Sequence, residues 1–487
     1  MARSIEAAYT PTGLGQYDGN PLIEALPPIH DDETVGELLC NFPDFPSSAE
    51  MALKPKLRAH CVSRMSDIVV PMDLHLQFEA SFSQLIRGGY TARDPFHRDA
   101  VAMLHAADDA QLRHSGFKSS ASTLAIFGLS GMGKTTMLNS LVKTYPQVIV
   151  HKRYAGKNFR RTQIVWLKID CPHDGSPRGL CASFFAALDG ALGTDYTDKY
   201  MKPRASVSML MQHVSQLCRS FNVGVLIIDE LQNLNLLADA DSKQRILNFF
   251  LTLSNDAGIP LVYSGTNSTF KLFAGVVRNA RRALGMSDYY FDRFHIDDDE
   301  WSALVQTFLV YNWTEDAIER TPELNEKLYY LTQGNTDFLA KLMMLTQWYA
   351  LANDQKVTPS LYQKVYDQQM IILHRPIEAL RSNDPLQIAD FEDMMPAREQ
   401  VAYMITIARA RQARRGGGSA PFQLQGLPNQ LPTPSPDAVT APASRRLAGV
   451  ADPLVVSDAQ RVAESDDWEA AAKEKGFTSF GDDIELW

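Results

Sequence analysis

Eight consecutive residues, Gly128-Leu129-Ser130-Gly131-Met132-Gly133-Lys134-Thr135, have the types and spacing to grip a chain of phosphates. They fit the pattern G-x-x-x-x-G-K-[ST], whose glycines let the backbone curl so that successive N–H groups face phosphate oxygens. Lys134 adds a full positive charge, the helix expected to begin there adds a partial one, and Thr135 offers a hydroxyl to Mg²⁺; Thr136 follows within the same turn. A second cluster, Val225-Leu226-Ile227-Ile228-Asp229-Glu230, is an apolar run ending in two carboxylates. In that order Asp229 is placed to hold Mg²⁺ through its water shell, and Glu230 to orient and deprotonate an attacking water. The next apolar run, Ile259 to Ser264, ends in Gly265-Thr266-Asn267. A polar side chain there would sense a γ-phosphate by hydrogen bonding; Asn267 is the first choice and Thr266 the second. Farther on, Arg278, Arg281 and Arg282 lie on an expected helix, from which Arg281 or Arg282 could reach a neighbouring subunit's nucleotide, with Arg293 in reserve. The chemistry these residues suit is binding and hydrolysis of a nucleoside triphosphate with Mg²⁺.

Such groups need a scaffold that brings the ends of several strands together. The core alternates accordingly: strands over Leu124–Phe127, Gln163–Ile169, Val223–Ile228 and Ile259–Ser264, with helices over Thr135–Tyr145, Leu180–Leu192, Val207–Arg219 and Lys243–Ser254. Alternation with apolar, β-branched runs predicts a parallel sheet covered by helices on both faces. The spacing of Leu74, Phe78, Phe82, Leu85 and Ile86 predicts an amphipathic helix ahead of it, and a second is expected over His97–Leu112. After residue 296 the pattern turns helical, over Glu300–Tyr311, Pro322–Thr332, Asp337–Ala350 and Ser360–Leu373. The expected organisation is an N-terminal partner-binding arm (1–73), an α/β nucleotide-binding domain (74–295) and a small helical lid with following helices (296–408). A flexible linker rich in Pro, Gln, Ser and Ala (409–450) and an acidic docking tail (451–487) complete it.

The chain of 487 residues carries a net charge of −10, which argues against coating DNA with the whole molecule but leaves room for a local basic strip. One such strip is His151-Lys152-Arg153-Tyr154-Ala155-Gly156-Lys157-Asn158-Phe159-Arg160-Arg161, where basic and aromatic residues alternate around a glycine as in a hairpin. Lys152, Arg153, Lys157, Arg160 and Arg161 could each neutralise a phosphate of double-stranded DNA without reading bases. Five scattered cysteines form no disulfide framework, and no apolar run approaches the roughly 20 residues that span a bilayer. A cytoplasmic protein with no membrane partner is expected.

Together the motifs resemble those of the AAA+ ATPases and, more narrowly, the TnsC/TniB family of transposition regulators. The resemblance covers about residues 75–395 and includes Gly89-Tyr90-Thr91-Ala92-Arg93-Asp94-Pro95, Asp170 to Leu180, Gly265-Thr266 and His374 to Ser382. It implies a nucleotide-binding role for Tyr90, Arg93 and Pro95. It also implies a bacterial ATPase that assembles with copies of itself, as a ring or helical filament, on duplex DNA without sequence specificity. Such proteins link a target-selector protein to transposase subunits and disassemble on hydrolysis. This sequence departs from the pattern in having Asp94 where asparagine is expected. It also has no arginine in Gln333-Gly334-Asn335-Thr336-Asp337-Phe338, where many AAA+ proteins carry a second sensor; Lys341 is the nearest cation downstream. Two other readings are a replication initiator or helicase loader of the same class, and a nucleotide-switched scaffold that never meets DNA.

Overall fold

Runs of buried branched and aromatic residues set the strands of the central sheet. The computed structural model describes residues 4–391, except 107–110, 112–114, 238–239, 270–271, 273–286, 317, 383–386 and 389–390. Arg278, Arg281, Arg282, the linker and the acidic tail therefore lie outside the described residues. The strands are β1 (Ser4–Glu6), β2 (Thr123–Gly128), β3 (Val148–Tyr154), β4 (Lys157–Ile164), β5 (Trp166–Asp170), β6 (Val225–Asp229), β7 (Leu261–Gly265) and β8 (Ser287–Phe291). Five form one sheet in the order β5-β6-β7-β2-β8, and every pairing within it is parallel. In β2, β6 and β7 each residue is buried. Successive side chains alternate between two cores, as a sheet covered on both faces requires. Phe127, Leu167, Leu226 and Ile228 face Phe184, Phe185, Leu210 and Leu253. Leu124, Ile126, Val225 and Ile227 face Phe78, Phe82, Ile86 and Leu138.

Two differences from the sequence expectation concern the sheet. The run Gln163–Ile169, read as one strand, is split: β4 ends at Ile164 and β5 begins at Trp166, with the break at Val165, whose N–H reaches the Gln147 carbonyl at 2.9 Å. Strand β8, unforeseen, pairs along β2 from Leu124↔Ser287 to Gly128↔Phe291 and forms the sheet's edge. The expected helix over His97–Leu112 is described only for Arg98–His105.

The N-terminal segment, expected as a partner-binding arm, packs against the rest of the chain. Leu22, Ile23, Val35 and Leu39 are buried in the sheet's core, whereas Val62, Met65, Val70 and Met72 are buried with the lid. Buried Arg58 donates to the Trp313 carbonyl at 3.2 Å, the Trp348 indole N–H to the Ala59 carbonyl at 2.7 Å, and the Tyr311 hydroxyl to the Pro43 carbonyl at 2.7 Å. Residues 4–73 thus strap the sheet to the lid. Two of this segment's prolines start short helices, at Pro21–Glu24 and Pro55–Cys61, because proline at a first helical position gives up no hydrogen bond.

The lid comprises helices Asp299–Val310, Pro322–Thr332, Thr336–Asn353, Pro359–Gln369 and His374–Ser382, packed around Trp301, Tyr311, Trp313, Leu328, Leu342 and Tyr362. The basic segment is a true hairpin: β3 and β4 pair antiparallel around Ala155-Gly156, and β1 joins β3 in a separate three-stranded sheet. Among the described residues no helix is long and apolar enough to cross a membrane, and all five cysteines are free thiols.

Candidate nucleotide-binding cleft

Strand β2 delivers the glycine-rich loop to the carboxyl edge of the sheet, and the helix Lys134–Lys143 carries the chain away from it. Gly131 and Gly133 sit at φ +82° and +85°, a left-handed conformation that L side chains resist. Gly133 is the N-cap of that helix, so the helix's first N–H groups open toward the loop. The Lys134 ammonium curls back to the carbonyls of Gly128 at 3.0 Å and Leu129 at 2.7 Å. Ser130, Gly131, Met132, Gly133, Lys134, Thr135 and Thr136 line a cleft of about 830 Å³ between sheet and lid. Gly128 and Leu129 stand behind it, and the Leu129 side chain is wholly buried.

Strand β6 brings the carboxylates beside this loop. The Thr135 hydroxyl donates to Asp229 Oδ2 at 3.1 Å, and the Lys168 ammonium lies 3.0 Å from the same oxygen. Burial pushes the Asp229 carboxyl up, but the Ser264 hydroxyl and Lys168 outweigh it and hold the group below its ordinary range. A hydroxyl and an ionised carboxylate at a helix N-terminus form an all-oxygen donor pair, which suits a Mg²⁺ that keeps water and phosphate as its other ligands. Glu230 follows at the cleft edge in a left-handed conformation, φ +56°. Partial burial and the Asp229 charge push its carboxyl up, the direction a general base near neutrality needs. Lys168 was not foreseen; its signal was a cation between the buried Leu167 and Ile169 of β5.

Another stretch of the cleft wall is largely apolar, with His75, Asp298 and Glu300 also lining it. It is lined by Val69, Val70 and Met72 of the N-terminal strap, by Phe291 and Phe294 at the end of β8, and by Leu304, Phe308 and Met344 of the lid. The loop thus offers N–H groups and a cation, and these apolar side chains offer a surface for a flat base. The lid closes on the loop through hydrogen bonds the sequence did not announce. Asn335 Nδ2 donates to the Ser130 carbonyl at 2.8 Å, while the Thr336 hydroxyl and the Asp337 N–H donate to the Gly131 carbonyl, the latter at 3.0 Å. Lys341 pairs with Asp337 at 2.6 Å. Arg293 lines the cleft of its own chain and ties β8 to the lid through Gln333 Oε1 at 3.2 Å and the Leu380 carbonyl at 2.9 Å.

Other expected residues fall elsewhere. Tyr90, Arg93 and Pro95 do not line the cleft. Tyr90 is fully buried and its hydroxyl reaches the Asn222 carbonyl at 2.7 Å. Arg93 stacks over the Tyr90 ring and donates to the carbonyls of Gly89 and Val223. These bonds fix the start of β6, the end opposite the glycine loop, so the role is structural. Of the β7 terminus, Gly265 and Thr266 line the cleft, whereas Asn267 is buried in the short turn Asn267–Thr269. Lys152, Arg153, Lys157, Arg160 and Arg161 are exposed on the hairpin, which springs from the same end as Tyr90: the Ile164 N–H bonds the Phe221 carbonyl and the Gly224 N–H bonds the Ile164 carbonyl.

Fold and cleft together define a P-loop α/β unit: a five-stranded parallel sheet, a glycine loop at the end of an inner strand, paired acids at the end of another and a helical lid. Residues 117–273 match the sequence profile of a family described as an AAA domain. No curated protein matches the chain. Among solved structures it is similar to a Walker-type ATPase of Pyrococcus abyssi, with 12% identity over 54% of this chain and 71% of that one at a TM-score of 0.33. It is also similar to the ORC2 protein of Aeropyrum pernix in its ADPNP–ADP complexes, with 10% identity over 51% and 62% at 0.36. A third is a structure of Drosophila ORC bound to DNA, with 13% identity over 78% and 84% at 0.37.

Proposed function

We propose that this chain is an ATPase that assembles with copies of itself on duplex DNA in the ATP state and disassembles on hydrolysis, linking a target-selector protein to a transposase. The observation that carries the nucleotide half is the convergence of Lys134, Thr135, Asp229 and Glu230 at one cleft. Lys134 and the loop N–H groups would bind phosphates, Thr135 and Asp229 would hold the Mg²⁺, and Glu230 would take a proton from the attacking water. Bound Mg²⁺ supplies charge neutralisation at the phosphates. Thr266, rather than Asn267, is the polar group at the β7 end that faces the cleft. The hairpin supports the DNA half: five exposed cations on two short strands suit phosphates and leave bases unread. The sequence resemblance supports the transposition role, and Arg281 or Arg282 would complete a neighbour's site.

Electron microscopy of the chain with a non-hydrolysable ATP analogue, Mg²⁺ and a plain duplex tests the reading. Rings or helical filaments that need both nucleotide and DNA support it. Assemblies that form with nucleotide alone and exclude DNA would replace it with a scaffold.

A further inference from the structure

Glu230 does not stand free at the cleft edge. Its carboxylate accepts a hydrogen bond from the Gln232 side-chain amide, and the carbonyl of that same amide accepts the Thr266 N–H at 3.1 Å. We propose that Gln232 is a positioning residue: one planar amide that joins the hydrolytic carboxylate to the backbone at the end of β7. This rests on Glu230 being the base of the proposed hydrolysis.

Three further features fit that single bridge. The left-handed backbone at Glu230, φ +56° and ψ +35°, is a strained conformation for a non-glycine residue and persists where surrounding bonds hold it. It starts the turn Leu231–Leu236, which carries Gln232 back beneath the carboxylate. Gly265 leaves room for the amide, since a Cβ there would come within 2.9 Å of Gln232 Oε1. A parallel tie joins the same two turns, where Asn235 Nδ2 donates to the Ser268 carbonyl at 3.0 Å. A side chain wanted only for packing would need neither a donor nor an acceptor. The bridge uses both, and among uncharged side chains of this length glutamine alone has both in one plane. The consequence is directional. Glu230 cannot swing without breaking its tie to Thr266, so the strand end that faces the cleft and the carboxylate move together.

Two substitutions separate the halves of the bridge. Gln232→Met keeps the bulk and loses both bonds, whereas Gln232→Glu can still accept from Thr266 but repels Glu230. Gln232→Met should lower kcat for ATP roughly tenfold while KM and affinity for a non-hydrolysable analogue stay within about twofold. Gln232→Glu should lower kcat at least as far. Combined with Glu230→Gln, Gln232→Met should cost nothing more, because its effect runs through the carboxylate. Backbone hydrogen exchange at the β7 end should quicken in Gln232→Met. Unchanged kcat in Gln232→Met, affinity falling in step with kcat, an additive loss in the double variant or unaltered exchange would each overturn the proposal. Failure of the native chain to hydrolyse ATP would instead remove the ATPase reading, and the exchange result would then judge the bridge alone.

Discussion

Two ion pairs of similar length mark the difference between the molecule's two cationic regions. In the cleft, Lys168 meets Asp229 at 3.0 Å with side-chain exposures of 18% and 5%; on the hairpin, Lys152 meets Glu6 at 2.6 Å with exposures of 63% and 61%. The buried pair is held from several sides, with Thr135 and the Glu230 N–H also bonded to Asp229. Its charges are positioned before any ligand arrives, as an electrostatic site requires. The exposed pair is worth at most about 1 kcal/mol, so a phosphate can replace the Glu6 carboxylate at little cost. One region is fixed in geometry; the other is open to solvent, where salt screens its charges.

That contrast is broken first at the glycine loop. Lys134→Ala should weaken ATP binding by about two orders of magnitude or more, since it removes a charge-assisted hydrogen bond to phosphate; isothermal titration of nucleotide measures it. Glu230→Gln should bind ATP normally and hydrolyse it about 10² to 10⁴ times more slowly, which phosphate release would show. Normal turnover would assign the base elsewhere.

The buried pair yields a pH signature. Asp229 sits below its ordinary range in the folded chain, so it contributes stability that is present above its unfolded value and lost as pH falls through its folded value. Lys168→Met removes one of the groups that hold it there. The variant should melt several degrees lower at pH 7, and the gap should narrow steadily below about pH 4, the ordinary aspartate range. A pH-independent gap would mean that only packing had changed.

Smaller effects belong to the hairpin. Reversing Lys152, Arg153 and Lys157 to Glu should leave nucleotide affinity intact. The log–log dependence of duplex affinity on salt should become shallower by about 0.9 for each phosphate that is no longer neutralised. Glu6→Gln, the mildest change, should leave the melting temperature within about 1 °C and tighten duplex binding slightly at low salt.

The cleft edge of the sheet was legible because its polar groups are compressed into contiguous runs: the loop 128–135 and the strand ending in Asp229 and Glu230. The hairpin was legible from alternating basic and aromatic residues around Gly156. What stayed hidden depended on long-range packing. Tyr90 and Arg93 read as ligand-binding through a motif likeness, but their polar atoms satisfy backbone carbonyls at the start of β6. The N-terminal strap lacks any long hydrophobic period, because its helices of four to eight residues are too short to show one and the strap divides its buried side chains between two different cores. Strand β8 was missed because Ser287 and Asp288 interrupt its apolar pattern, and an edge strand needs burial on fewer sides. The lid's grip on the loop uses Asn335 and Thr336, which lie in a segment whose sequence stood out only for its missing sensor arginine.

Fluorescence anisotropy of a random-sequence duplex, titrated with the Glu230→Gln chain at two salt concentrations with and without ATP and Mg²⁺, probes the coupling of cleft to hairpin most directly. Cooperative binding that appears only with ATP and weakens steeply with salt is the predicted result. Equal binding in both nucleotide conditions, or none in either, would contradict the account.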